Sequence, residues 1–388
     1  MQTQSSTCAV STSGLSRASG AKRSRQRQNH KVRKARRKID PSQRPGGPLR
    51  SLPMAKSKKA KKTKETPTKL RVAFIGAGNR AVGAHYPSLS EMKDAEICAV
   101  CELNEERRGH VAKQFRIPGQ YDRYQEMVET EKPDVVYAIM PPHHVYDIAA
   151  NVIEMGCNLI LEKPPTLTSE QTRQLAILAR KNKVITGVTL QRRFAPVIRT
   201  GKELCEEVGP VHSAEAMFIK YTGPGSPPTY KGAVDQLTVD GVHAVDTLRY
   251  LCGGDVESVA SSVRRIGADH LTVFQALVTF SSGATGFLKS GYKMGRRIFA
   301  VEAHSDGISF FGDPEEGGRI FIEGDVNPAK LLDGHKISRS KKPYRAYGEH
   351  TMNRHFLDCI REGRQPETNL DDAIKTMELV EAIHRSQI

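Results

Sequence analysis

The feature that most constrains this chain is a glycine-bearing loop, Gly76-Ala77-Gly78-Asn79-Arg80-Ala81, directly behind the apolar run 70–75 and directly ahead of a helical stretch. Its first glycine permits a tight turn, its second lets backbone approach a bulky anion, and the helix offers unpaired amides and the positive end of its dipole. A strand, such a loop and a helix in that order open a dinucleotide-binding unit. The alternation continues: apolar runs at 96–101, 134–140, 157–161 and 184–190 are separated by helical stretches, among them 104–115, 144–155 and 168–183. The last of these starts with the capping pair Thr168 and Gln171. The expected fold class is therefore α/β, with a doubly wound parallel sheet over 70–190.

After Gln191 the pattern changes. A helix over 196–208 precedes strands at about 211–221, 256–265, 271–280, 285–291 and 298–303, with Ser281-Ser282-Gly283 as a hairpin turn. Helices over 350–362 and 370–386 close the chain. Consecutive strands joined by short turns imply an α+β domain with a largely antiparallel open sheet over 191–388. A chain of 388 residues can hold both cores, since each typically needs roughly 100 to 200 residues.

The net charge of +16 is concentrated at one end: residues 1–69 hold 20 Lys and Arg against Asp40 and Glu65, leaving 39 basic and 41 acidic residues beyond. No broad basic face is left for specific nucleic-acid binding, although the tail itself can meet anions non-specifically. Residues 1–69 are too polar to offset the entropy of ordering, which predicts a disordered basic tail. Three origins fit it: a transit peptide, a segment that touches nucleic acid or anionic surfaces, or translation starting at Met54. No run approaches the ~20 apolar residues that span a bilayer. Seven scattered cysteines do not read as a disulfide framework, and a cytoplasmic setting is expected. Cys98 and Cys101 lie in one apolar run, where a spacing of three puts strand side chains on opposite faces, so both read as small core residues.

Four places carry chemistry. Glu102 closes the second run, where a carboxylate accepts hydrogen bonds from ribose hydroxyls and repels an added phosphate, predicting NAD in preference to NADP. Arg107 and Arg108 on the next helix are the groups that would serve such a phosphate. Lys163, in Glu162-Lys163-Pro164-Pro165, stands at the carboxyl end of a strand, where ligands of open α/β sheets bind. His243, in Asp240-Gly241-Val242-His243, opens a helix that ends at Gly253-Gly254, and imidazole is suited to accept a proton near neutrality.

The loop from Gly76 to Ala81, Glu102, the Glu162-Lys163-Pro164 triplet and His243 together resemble the glucose–fructose oxidoreductase, inositol dehydrogenase and MocA (Gfo/Idh/MocA) family, over about 70–388. The resemblance implies an amino-terminal Rossmann domain that binds NAD and a substrate-binding domain that also serves oligomerisation. It surrounds the cofactor with Gly76, Ala77, Gly78, Asn79, Arg80, Ala81, Glu102, Pro141, His144, Glu162, Lys163 and Gln191, and puts Gln191 and Arg193 at the domain junction and substrate cleft. His143 and His144 are expected to serve structure rather than catalysis. Lys163 would lie beside the nicotinamide and the reacting hydroxyl, with His243 taking the proton. The family's acid precedes the histidine by four residues, where this chain has Val239, while Asp240 precedes it by three. Either Asp240 substitutes through a local shift in the helix start or the acid is missing. Asp246, one turn after His243, either orients the imidazole or packs the helix. The implied function is an NAD(P)-dependent oxidoreductase moving hydride between the cofactor and a secondary alcohol of a sugar, cyclitol or sugar derivative. It would work as a homodimer or homotetramer, and no metal is called for. Two other readings stay open: an NAD-dependent glycosidase acting by oxidation and elimination, and a non-catalytic NAD-binding sensor.

Overall fold

The structure, a computed structural model, describes residues 69–388, so the expected basic tail lies outside the described residues except for Lys69. Strands β1 (Leu70–Ile75), β2 (Ala95–Cys101), β3 (Gly119–Tyr121), β4 (Val135–Ala138), β5 (Asn158–Leu161) and β6 (Thr186–Val188) form one sheet in the order β3-β2-β1-β4-β5-β6. Every pair in it is parallel. Helices cover both faces, so the central strands read as unbroken apolar runs and Val72, Ala73 and Phe74 are fully buried. The order reverses between β1 and β4, which opens a crevice at their carboxyl ends. The expected helices appear as Glu105–Phe115, Val145–Glu154 and Ser169–Asn182. Asn104 caps the first, and Thr168 caps the third through the Gln171 amide. Gln171 returns its side chain to the Leu167 amide.

Two elements here were not expected, β3 and the helix Tyr124–Glu131. A three-residue strand with a glycine has no alternation to read. The two cysteines of β2 also depart from expectation. A register shift between Val72 and Ala73 pairs Val72 with Ile97 and Ala73 with Ala99, so Cys98 is the extra residue of a bulge. The bulge flips the alternation, and Cys98 and Cys101 both enter the same core cluster. Both are free thiols, pushed up to about 11 by burial.

The second sheet has eight strands: β7 (Ser213–Tyr221), β8 (Val256–Arg264), β9 (Val273–Phe280), β10 (Thr285–Gly291), β11 (Lys293–Ser305), β12 (Ile308–Asp313), β13 (Gly317–Ile322) and β14 (Lys330–Leu332). Their order is β14-β13-β12-β11-β7-β10-β9-β8, antiparallel throughout except for the parallel pair β7–β10. The expected strand at 298–303 is the middle of a longer β11, while β12 to β14 were not expected. On the inner face lies the helix Val242–Cys252, whose residues from Val242 to Arg249 are all buried beneath the sheet and the final helix, Leu370–Arg385. The helix Glu349–Glu362 returns to the first sheet, where Met352, Phe356 and Leu357 join the core of Val72, Phe74 and Tyr137. Each such side chain contributes about 2–3 kcal/mol by leaving water. Among the described residues no helix is long and apolar enough to cross a membrane.

Candidate active site

The two loop glycines are required for different reasons. Gly76 has φ 106°, and a Cβ there would lie 2.2 Å from the Ile139 carbonyl oxygen, so this glycine lets β1 and β4 close together. At Gly78 a Cβ would meet nothing within 4 Å, because that position faces open space at the crevice. The turn is held by the Gly76 amide donating to Cys101 O (2.8 Å) and by the Tyr86 hydroxyl donating to Gly76 O (3.1 Å). In place of a regular helix, Ala81 opens a π-helical turn, Ala81–His85, before the short helix Tyr86–Ser90. Arg80 at its start and His85 at its end both reach Glu162, at 3.4 and 3.5 Å.

Glu102 is fixed at the end of β2, accepting from the Ala77 and Asn104 amides, each at 3.0 Å. Both arginines expected near it turn toward it. Arg107 lies 3.5 Å from its carboxylate, and Arg108 donates to its backbone carbonyl at 2.7 Å.

Two cavities run along the carboxyl edge of the first sheet. The outer, about 700 Å³, is lined by Gly76, Glu102, Arg107, Tyr124 and His144 among others. The inner, about 410 Å³, brings together Asn79, Arg80, Lys163, Asp240 and His243. Gly78, Ile139, Met140 and Pro141 line both, so the cavities meet at the loop and the end of β4. The His143 and His144 rings lie with centroids 4.0 Å apart and planes tilted by 49°, and His143 rests 5.3 Å from Tyr230, which overhangs the inner cavity from the second domain.

Lys163 donates from Nζ to the Val239 carbonyl at 2.7 Å, while its amide donates to Thr189 Oγ1 at 3.1 Å. The Lys163–Pro164 peptide is cis. Burial pulls the Lys163 ammonium below its ordinary value against the opposing charges of Asp240 and Glu162. Glu162 is buried and accepts from Thr189 Oγ1 at 2.7 Å. Burial raises its carboxyl, but Arg80, His85 and Lys163 outweigh it and hold it at about 2. Gln191 bridges this group, its amide nitrogen donating to the Thr189 carbonyl (2.6 Å) and its oxygen accepting from Arg80 Nη2 (2.9 Å).

A π-helical turn, Leu237–Gly241, precedes the helix that carries His243. This shifted start presents the Val239 carbonyl to Lys163 and sets the Asp240 carboxylate, paired with Lys220, on the cavity wall. His243 is buried, and its Nδ1 has no hydrogen-bond partner among the described residues. Burial, joined by Lys163, Arg192, Arg80 and Lys220, drives its imidazole well below the ordinary histidine value. The ring is therefore neutral at pH 7.

Of the two roles open to Asp246 the structure shows the packing one, and Arg193 is drawn into it. Asp246 does not meet the imidazole: it accepts from Arg193 Nε at 2.8 Å and from Thr376 Oγ1 at 3.0 Å. Arg193 also pairs with Asp372 at 2.9 Å, so it is consumed in a buried network joining three helical segments and does not line the cavity. Its neighbour Arg192 does, together with Arg297, neither of which the sequence singled out, and Tyr230, from the 221–230 stretch where the sequence places side chains that set substrate identity.

Known proteins match both halves of this arrangement. Residues 70–190 match a family model described as an oxidoreductase family with an NAD-binding Rossmann fold, and 199–315 match a GFO/IDH/MocA C-terminal domain. D-glucoside 3-dehydrogenase of Escherichia coli K12 is 30% identical over 218 residues, spanning 53% of this chain and 61% of that protein. D-apiose dehydrogenase of Paraburkholderia graminis is 26% identical over 342 residues, 84% of this chain and 89% of that one. The crystal structure of a dehydrogenase from Chromobacterium violaceum superposes with a TM-score of 0.74 at 24% identity, covering 82% of this chain and 95% of the other.

Proposed function

Because the chain belongs to the Gfo/Idh/MocA family of oxidoreductases, we propose that it is an NAD-dependent dehydrogenase oxidising a secondary alcohol of a sugar or cyclitol in the inner cavity. The observation that carries this reading is the convergence of Lys163, Asp240 and His243, from two domains, on one cavity that opens onto the glycine loop. The cleft fits a dinucleotide. Gly78 leaves room for a pyrophosphate, and Glu102 stands in the outer cavity for ribose hydroxyls. Pro141 and His144 line the outer cavity and Asn79 the inner one. NAD is favoured over NADP because Glu102 opposes a 2′-phosphate while Arg107 and Arg108 are engaged by Glu102 itself. When bound, the nicotinamide supplies the acceptor for hydride from the carbinol carbon.

The chain's own residues do the rest. The Lys163 ammonium, held by the Val239 carbonyl, orients the substrate hydroxyl and stabilises negative charge developing on its oxygen. His243, neutral and lining the inner cavity, takes the proton. Asp240 balances the charge on Lys163 and Lys220. Glu162, Arg80 and Gln191 form the bonded floor that keeps Lys163 in place. Asp240 supports the catalytic reading over the sensor, whose premise was a missing acid.

The test is Lys163→Ala in an NADH-linked screen of sugars and inositols. NAD binding by calorimetry should stay within about threefold of the parent, while turnover falls by about 10²–10³-fold, as when one preorganised charge is removed. Unchanged turnover would sink the assignment. Net NADH accumulation with free sugars separates a dehydrogenase from an elimination enzyme, which returns its hydride.

A further inference from the structure

Arg192 is 6% exposed, yet its Nε and Nη1 are buried with no hydrogen-bond partner among the described residues. Glu349, close enough to influence its charge, gives Oε1 to Arg80 at 3.0 Å, and its buried Oε2 makes no hydrogen bond to Arg192 or to any other described residue. The rings of Phe299 and Tyr347 pack against the guanidinium at 4.7 and 4.5 Å, which steadies its position but meets none of its directional hydrogen bonding. The adjacent residue sharpens the contrast. Arg193, equally buried, is saturated by Asp246 and Asp372. An unpaired buried guanidinium is costly, and such cost is offset where an anion arrives. Arg192 lines the same inner cavity as Lys163 and His243. The acids on that wall are already engaged, Glu162 by Arg80 and Asp240 by Lys220.

Resting on the dehydrogenase reading above, we propose that the substrate is an acidic sugar, a uronic or aldonic acid, whose carboxylate is received by Arg192 while the carbinol to be oxidised sits at Lys163 and His243. The planar fork of the guanidinium matches the two oxygens of a carboxylate, and pre-packing by two rings removes much of the entropy loss of ordering it. Neutral sugars would leave the charge unmatched, so Arg192 sets specificity.

The experiment compares D-glucuronate, D-galacturonate and D-gluconate with D-glucose, D-galactose and D-glucose 6-phosphate by NADH formation. The carboxylates should show kcat/KM about 10²-fold above their neutral congeners, the scale of a charge-assisted pair. Arg192→Met should erase that advantage chiefly through KM, with NAD binding little changed and any change in kcat shared by acidic and neutral substrates, because Arg192 also acts on His243, and Arg192→Lys should recover part of it. If Arg192→Met does not fold, Arg192→Lys and Arg192→Gln carry the comparison, with NAD binding as the check on folding. Equal use of neutral sugars, preference for the phosphate ester, or an Arg192→Met rise in KM shared by acidic and neutral substrates would overturn the inference while leaving the dehydrogenase reading intact. If nothing turns over, calorimetry of D-glucuronate against the NAD-saturated protein decides. Binding that Arg192→Met abolishes upholds the carboxylate site although the redox reading falls, and no binding overturns it.

Discussion

His243 shows how one side chain can be tuned by what surrounds it. Burial and the cations Lys163, Arg192, Arg80 and Lys220 all disfavour imidazolium in the folded state. In the unfolded chain the ring titrates near its ordinary value of about 6.5. The folded value is the lower of the two, so between them the unfolded state binds more protons. Stability present above about pH 6.5 is then lost as pH falls toward the folded value. Denaturant midpoints should drop between pH 7.5 and 5.5, and His243→Gln should drop less. The half-buried His350 and His355, both also lowered chiefly by burial, leave a residual slope. Equal slopes in parent and variant would mean that His243 is not held neutral by its site. Lys163 was legible in the sequence because a lysine between an apolar run and two prolines marks a strand end. Arg192 was not: what distinguishes it from Arg193 is the absence of a carboxylate partner, and absence of a spatial neighbour leaves no trace in spacing.

The turn from β1 into its helix can be dissected with two parallel substitutions. Gly76→Ala forces a Cβ against the Ile139 carbonyl at a positive φ, and should destabilise the protein by about 2–4 kcal/mol. Gly78→Ala meets open space, so stability should change by less than about 1 kcal/mol, while NAD affinity falls about tenfold or more because the new methyl occupies room a pyrophosphate needs. Chemical denaturation and calorimetry on both variants check this, and a Gly78→Ala protein that binds NAD normally would move the pyrophosphate elsewhere. The strands that escaped sequence reading did so for two reasons. β3 and β14 have three residues each, too few to show a period. In β12 and β13 glycines interrupt the alternation. The Cys98 bulge was equally invisible, since one inserted residue reverses the facing of every later side chain without altering composition.

At the scale of the whole molecule, the second sheet leaves an apolar pair uncovered. Leu277 of β9 and Phe287 of β10 stand directly opposite each other and are 42% and 46% exposed. A second copy of the chain is the occupant we expect on this face, through a self-complementary contact. Light scattering should give a dimer or tetramer, with Phe287→Glu shifting the mass toward the monomer; a monomeric parent would refute it. The two-domain plan was legible because its halves have different periodicities, but their interlocking was not.

That interlocking has a bearing on how the chain is made. Phe74 and Tyr137 of the first sheet wait for Met352, Phe356 and Leu357, and Arg80 and Asp94 wait for Glu349, Arg354 and Arg361. During translation the first sheet therefore leaves the ribosome with one flank bare, and it is sealed only once residues 349–361 have followed.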